Sequence, residues 1–117
     1  MPPRADPESF LPLTPAIAHI LLAVADEDRH GYAIMQEVER MTGGAVRMGP
    51  GTLYGTIKRM LAAGLLQETE GRPDPALDDE RRRYYRVTPL GSSVLEAETA
   101  RMAALLGAAR AKRVRVR

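Results

Sequence analysis

The sequence has no cysteine, no tryptophan and a single phenylalanine in its 117 residues. Without cysteine the chain can form neither disulfides nor the thiolate zinc sites that stabilise many small domains. It has two histidines, and we assign no metal site to them. Because no run of about eighteen apolar residues occurs, and because the proline-rich start lacks the apolar segment of a secretory signal, we expect a cytoplasmic protein without membrane association.

The residue patterns of active sites are absent as well. The sequence shows no Ser/His/Asp spacing for nucleophilic catalysis, no glycine-rich loop for phosphate and no cluster of metal ligands. Asp26, Glu27 and Asp28 are three consecutive carboxylates, but no candidate nucleophile accompanies them, and we interpret them as a solvated loop. We therefore predict that the protein is not an enzyme and that it needs no cofactor.

The formal net charge of +2 hides an uneven distribution. Five of the seventeen cations lie in residues 110–117, which contain no acid, whereas residues 1–109 hold twelve cations and fifteen acids. A surface for nucleic acid would therefore depend on local clusters rather than on the overall charge. The clusters in the sequence are Lys58-Arg59, Arg81-Arg82-Arg83 with Arg86, and the C-terminal tail.

Residues 49–66 form the most informative stretch. Pro50 suits the first position of a helix, and Gly64 is a natural end for it. Helical spacing predicts a buried face made of Leu53, Ile57, Met60 and Leu61. The opposite face has two cations and no carboxylate, and it consists of Thr52, Gly55, Thr56, Lys58 and Arg59. An ordinary surface helix is one interpretation, and a helix that enters an anionic groove is the other.

The neighbouring segments favour the second interpretation. We predict a first helix over about residues 15–25, capped by Thr14, and a second from Arg29 to the Gly43-Gly44 pair. Residues 65–70 and 82–88 predict the two strands of a hairpin with a polar tip. A helix, a turn, a helix and a two-stranded wing together place a helix in the major groove of DNA. The predicted fold class is mainly α with a small β-wing.

The ends of the chain complete the predicted organisation. Residues 1–13 are interpreted as a flexible or loosely docked arm, residues 14–88 as a winged helix-turn-helix, residues 89–110 as a long last helix and residues 111–117 as a basic tail. The last helix would be about 33 Å long, which is too long for so small a core to cover. Packing on its own domain is one alternative, and pairing with the same helix of a second copy is the one we favour. Its apolar stripe comprises Val94, Leu95, Met102, Leu105, Leu106 and Ala109.

Several short motifs follow one another over about residues 14–95: His30-Gly31-Tyr32, Pro50-Gly51-Thr52-Leu53-Tyr54, Lys58-Arg59-Met60, Gly64-Leu65-Leu66, and Arg83-Tyr84-Tyr85-Arg86-Val87-Thr88 with Gly91. In this order and spacing the chain resembles the PadR family of bacterial transcriptional regulators, in the short form that ends in one dimerisation helix. The resemblance implies a winged helix-turn-helix homodimer. The DNA contacts that it implies are Thr52, Tyr54, Thr56, Lys58, Arg59, Arg82 and Arg83. The dimerisation residues are then Val94, Leu95, Met102, Leu105 and Leu106.

Two positions depart from the family pattern. Gly49 stands where the family often has Ser, so the helix loses a side-chain acceptor at its N-cap. Gly55 stands where Pro commonly follows Tyr54, which loosens the helix or lets its backbone approach DNA more closely. Both departures concern the predicted DNA-binding helix rather than the fold.

The resemblance also implies a function. We expect a dimeric, sequence-specific DNA-binding regulator that represses transcription from a pseudo-palindromic operator near its own gene. Some members of the family bind planar aromatic compounds between the terminal helices and are then released from DNA. In this chain Met102, Leu105 and Leu106 would line such a pocket. The alternative function is a winged-helix module for protein–protein interaction that binds no DNA.

Overall fold

The computed structural model of the chain describes residues 5–69 and 83–117. Its elements, in chain order, are a 3-10 helix (Pro7–Phe10), α1 (Pro15–Ala23), β1 (Arg29–His30), α2 (Gly31–Met41), α3 (Pro50–Ala62), β2 (Leu66–Thr69), β3 (Tyr84–Val87) and α4 (Pro89–Ala111). The predicted class, mainly α with a small β-wing, is confirmed. In the described part of the chain, no helix combines the length and the apolar character that crossing a membrane requires.

The helix starts follow local rules that the sequence already contains. The hydroxyl of Thr14 accepts a hydrogen bond from the backbone N–H of Ile17 (3.3 Å) at the start of α1. Thr88 does the same for Gly91 (2.9 Å) at the start of α4. In both helices a proline occupies the first turn, where a missing N–H costs nothing. The predicted boundaries of these helices therefore agree with the structure to within two residues.

One hydrophobic core joins the helices to the sheet. α1, α2 and α3 each turn an apolar face inward, and Val94 at the start of α4 completes the same core. Full burial of side chains of this size contributes about 1.5–3 kcal/mol each, before the entropy of ordering is subtracted. The largest fully buried apolar members are Ile20, Leu21, Ile34, Val38, Leu53, Ile57, Met60, Leu65 and Val94.

The sheet has three antiparallel strands in the order β1-β3-β2. We use the name wing for β2 and β3, which pair with Leu66 opposite Val87 and Glu68 opposite Tyr85. β1 is a strand that the sequence did not predict, because Arg29 and His30 were interpreted as the start of α2. Two residues carry no periodic pattern, and they become a strand only because the free edge of β3 lies beside them.

The N-terminal segment is packed against the domain. The 3-10 helix lies on α4, and the backbone N–H of Leu13 donates to Glu98 Oε2 at 2.6 Å. Glu98 is only 1% exposed, although it is charged. Of the two alternatives for the N-terminal arm, flexible or loosely docked, residues 5–13 agree with the docked one, because this segment covers one side of α4.

α4 divides into a buried beginning and an exposed end. Val94 is fully buried in the core of its own subunit, and Leu95 packs against that core. Val94, one of the predicted dimerisation residues, therefore has no exposed surface in the single chain. Further along the helix Met102, Leu105 and Leu106 are 49%, 66% and 37% exposed.

Candidate nucleic-acid interface

α3 presents a polar face to solvent. Leu53, Ile57 and Met60 are buried in the core. Their burial fixes the rotation of α3 about its axis, so its polar face points to solvent. Thr52, Lys58 and Arg59 are exposed on the opposite side, and the helix contains no carboxylate. This face combines hydrogen-bonding and cationic groups with small residues, and a DNA groove admits such a surface.

Thr56 does not belong to that face. Its side chain is 1% exposed, and its hydroxyl donates to the carbonyl of Thr52 at 2.7 Å. The same oxygen accepts a hydrogen bond from Arg59 Nη2 at 3.1 Å. Thr56 was predicted to contact DNA, but it is buried because it lies three residues after Leu53 and four before Met60, at the edge of the buried stripe. Its observed role is to hold the guanidinium of Arg59.

Tyr54 is half-buried and connects α3 to α2. A Cβ atom placed on Gly31 would lie 2.6 Å from Tyr54 Cε1 and 2.6 Å from its hydroxyl oxygen, so only glycine permits the ring to lie there. The preceding residue, His30, caps α2 by accepting a hydrogen bond from the N–H of Ala33 at 3.0 Å. The predicted DNA contact Tyr54 is thus also a packing residue between the two helices.

The arginines of the wing differ in their availability. Arg83 is exposed, and its Nη1 lies 4.0 Å from Glu68 Oε1. The predicted contact Arg82, together with Arg81, lies outside the described residues. Arg86 makes a bidentate pair with Asp28 (2.9 and 3.1 Å), which raises the pKa of the Arg86 guanidinium above its ordinary value. Arg86 is therefore bound to the loop after α1.

α3 and the wing enclose one open groove of about 400 Å³. Lys58 from α3 and Arg83 from the wing both line it, so one residue from each of two of the three cationic clusters of the sequence lies at this surface. Apolar atoms of Ile57, Leu61 and Tyr85 also contribute to its lining. An anionic strand that lies along α3 would meet both cations there.

Two acidic residues pair with arginines of the wing region, which the sequence alone did not predict. Glu68 lines the groove, and Asp28 holds Arg86. The position of Glu68 follows from the strand register, because Glu68 is opposite Tyr85, and Arg83 lies two residues before Tyr85, directly ahead of β3. Such diagonal neighbours are within reach of long side chains. The strands were predicted, but their register was not.

The comparisons with known proteins agree with this architecture. Residues 20–97 match the model of the transcriptional regulator PadR-like family. The transcriptional regulator Rv3488 of Mycobacterium tuberculosis is 40% identical over 77 residues, which are 66% of this chain and 65% of that protein. The region shared with three curated relatives amounts to 23%, 65% and 67% of their lengths.

Solved structures show the same fold at lower identity. A PadR family transcription regulator from Clostridium difficile superposes with a TM-score of 0.66 at 21% identity, over 81% of this chain and 94% of that one. Bacillus subtilis PadR in complex with operator DNA gives a TM-score of 0.61 at 17% identity, over 74% of this chain and 47% of that one. The family match covers well over half of the sequence, and the chain therefore belongs to the PadR-like family of transcriptional regulators.

Proposed function

We propose that the protein is a homodimeric DNA-binding repressor that recognises a pseudo-palindromic operator near its own gene. The observation that carries this proposal is the exposed face of α3, which has two cations and no carboxylate, beside a groove that it shares with Arg83 of the wing. A helix of this kind on a winged helix-turn-helix fits the major groove.

Within the proposal, each exposed group has a distinct role. Thr52, Lys58 and Arg59 of α3 enter the major groove, where Lys58 and Arg59 contact phosphates or the acceptor edge of guanine. Tyr54 contacts DNA with the exposed part of its half-buried side chain. Arg83, and Arg82 beside it in the sequence, hold the phosphate backbone. The structure of Bacillus subtilis PadR with operator DNA supports this assignment at the level of the shared fold.

The proposed unit of function is a dimer. Residues 14–88 form the DNA-binding part, and residues 89–110 pair with the same helix of a second copy through Leu95, Met102, Leu105 and Leu106. Two copies joined in this way would present their α3 helices about 34 Å apart, which is one turn of DNA. The three exposed side chains near the end of α4 support this part of the proposal, because an apolar stripe in water favours a partner.

A small molecule that binds between the paired α4 helices would shift their relative orientation and release the DNA. Met102, Leu105 and Leu106 would line its site, and they offer a flexible apolar surface without an aromatic ring. Because this site exists only between two copies, effector binding and dimerisation are linked in the proposal.

The test is binding of the full chain to a duplex from its own promoter, measured at several salt concentrations. We expect the double variant Lys58→Ala with Arg59→Ala to bind roughly 10- to 100-fold more weakly and to reduce the salt slope by about two. The matched control, Arg115→Ala with Arg117→Ala, removes the same charge from the exposed tail and should have a much smaller effect.

Two results would contradict the proposal. One is the absence of salt-dependent binding to any promoter fragment, which would favour the protein-interaction module instead. The other is equal binding by the wild type and by the Lys58/Arg59 double variant.

A further inference from the structure

The groove between α3 and the wing contains a carboxylate at a place where DNA would bring a phosphate. Among the described residues that line it, Glu68 is the one acid, and it shares the groove with the cations Lys58 and Arg83. Glu68 is on β2, an outer strand of the sheet, and its side chain is exposed, so it is not part of the core. A carboxylate in an otherwise cationic groove opposes phosphate binding.

Glu68 meets Arg83 in a loose pair. The two side chains are 49% and 61% exposed, and the distance of 4.0 Å between Oε1 and Nη1 is longer than a hydrogen bond. Exposed pairs of this kind are weak and are screened by salt. The pair can therefore open when a stronger partner for the guanidinium arrives.

A phosphodiester is such a partner. Guanidinium groups bind carboxylates and phosphates with the same bidentate geometry, so the two anions compete for the same donors. A phosphate between α3 and the wing would also meet Lys58, whereas Glu68 offers Arg83 only its own carboxylate. The phosphate gains two cationic partners when it displaces one carboxylate.

We propose that Glu68 is an internal competitor for the DNA backbone: it holds Arg83 in the free protein, and a phosphate that enters the groove takes Arg83 from it. This inference rests on the proposed DNA-binding function. In this inference Lys58 and Arg83 bind a phosphate, and Glu68 lowers the affinity of that site. Because Glu68 acts on the backbone contact, it lowers the affinity for duplexes of every sequence.

The test compares the wild type with Glu68→Gln on a random-sequence duplex of roughly two helical turns, over a series of salt concentrations. The glutamine keeps the size of the side chain and removes its charge. We expect binding to become about three- to tenfold tighter at low salt, because Arg83 no longer has to leave a carboxylate before it binds the phosphate. Arg83 contacts the same phosphate in both complexes, so the salt slope should stay close to that of the wild type.

Glu96→Gln is the matched control. It makes the same change in net charge at an exposed position of α4 that does not line the groove. We expect it to leave both the affinity and the salt slope close to those of the wild type. Thermal unfolding of each variant verifies that the fold is retained.

A second background isolates Arg83. In the variant Arg83→Gln, the further change Glu68→Gln should have lost most of its effect, because no guanidinium remains to be released. An equal gain from Glu68→Gln and Glu96→Gln would overturn the inference, and so would a gain that Arg83→Gln does not diminish. If the wild type binds no duplex at all, the proposed function fails, which is a different and separately visible result.

Discussion

At the scale of single residues, two glycines determine how closely the elements approach each other. Gly31 lies under the ring of Tyr54, and Gly91 faces the carbonyl oxygen of Leu65 and a methyl group of Val87. At Gly91 the nearest neighbour is backbone, which cannot rotate away as a side chain can. The position therefore fixes the contact between the start of α4 and the wing, at Leu65 just before β2 and at Val87 in β3.

This contact gives a sharp prediction for Gly91→Ala. An added Cβ would collide with the backbone at Leu65, so we expect the free energy of unfolding to fall by about 1–3 kcal/mol. The matched control is Gly107→Ala in the same helix, where nothing lies within 4 Å of the new Cβ. There we expect a gain of up to about 1 kcal/mol from helix propensity. Urea unfolding measures both changes, and a loss of stability at Gly107 or a gain at Gly91 would contradict the packing argument.

At the scale of elements, the N-terminal segment is joined to α4 by one buried carboxylate. Glu98 accepts hydrogen bonds from Arg101 Nε and from the backbone N–H of Leu13. The bond from Arg101 is the main cause that holds the pKa of the Glu98 carboxyl below its ordinary value of 4.5, although burial opposes this shift. The ionised form is thus the one that the folded protein prefers.

The sign of the pH dependence follows from this preference. A carboxyl whose pKa is lower in the folded state stabilises the protein above its unfolded pKa, and it loses this contribution as the pH falls through the folded value. We therefore expect stability to decrease on acidification from about pH 5 downward, with Glu98 as one contributor. The pKa of Glu37 is also lowered, mainly by the hydrogen bond that Arg40 donates to it, and Glu37 adds to the same trend.

Glu98→Gln tests this assignment by urea unfolding at about pH 7 and about pH 3. The variant should be less stable than the wild type at neutral pH, because the charged hydrogen bond with Arg101 is lost. Its stability should also change less between the two pH values. Glu96→Gln, at an exposed site on the same helix, should follow the wild-type curve. Identical pH curves for Glu98→Gln and the wild type would show that Glu98 is not a contributor.

At the scale of the whole molecule, the end of α4 exposes apolar side chains that the core of the single chain does not bury. Its stripe of Met102, Leu105 and Leu106 extends beyond the core that buries Val94, and Leu22 of α1 is a further exposed apolar side chain. In the proposed dimer each copy would bury this stripe against the other. A substitution in the stripe then alters the interface at two places, because each subunit contributes the same residue.

Leu105→Glu tests the dimer. A carboxylate in the stripe should raise the dimer dissociation constant by at least about 100-fold, because two apolar contacts are lost and two like charges approach each other. Light scattering on the full chain measures the mass over a range of concentrations. Ala104→Glu, on the opposite side of the helix by its helical position, should leave the mass unchanged. A chain that is monomeric in the wild type, or dimeric in both variants, would contradict the proposed interface.

The sequence determined the type and order of the main elements, because the signals that specify them are local. Pro15, Pro50 and Pro89 mark helix starts, and helical spacing identified the buried face of α3. The family motifs predicted the winged helix-turn-helix because they consist of the same local signals in a fixed order. Local signals could therefore predict the fold class and the exposed cations of α3.

Only the tertiary structure decided which of these side chains meet. β1 exists because the edge of β3 lies beside Arg29 and His30, and Glu98 is buried because the N-terminal segment covers it. Arg83 faces Glu68 because one particular register pairs the two strands. Each of these contacts joins residues that are far apart in the chain, so its energy depends on the packing of the folded state and leaves no periodic pattern in the sequence.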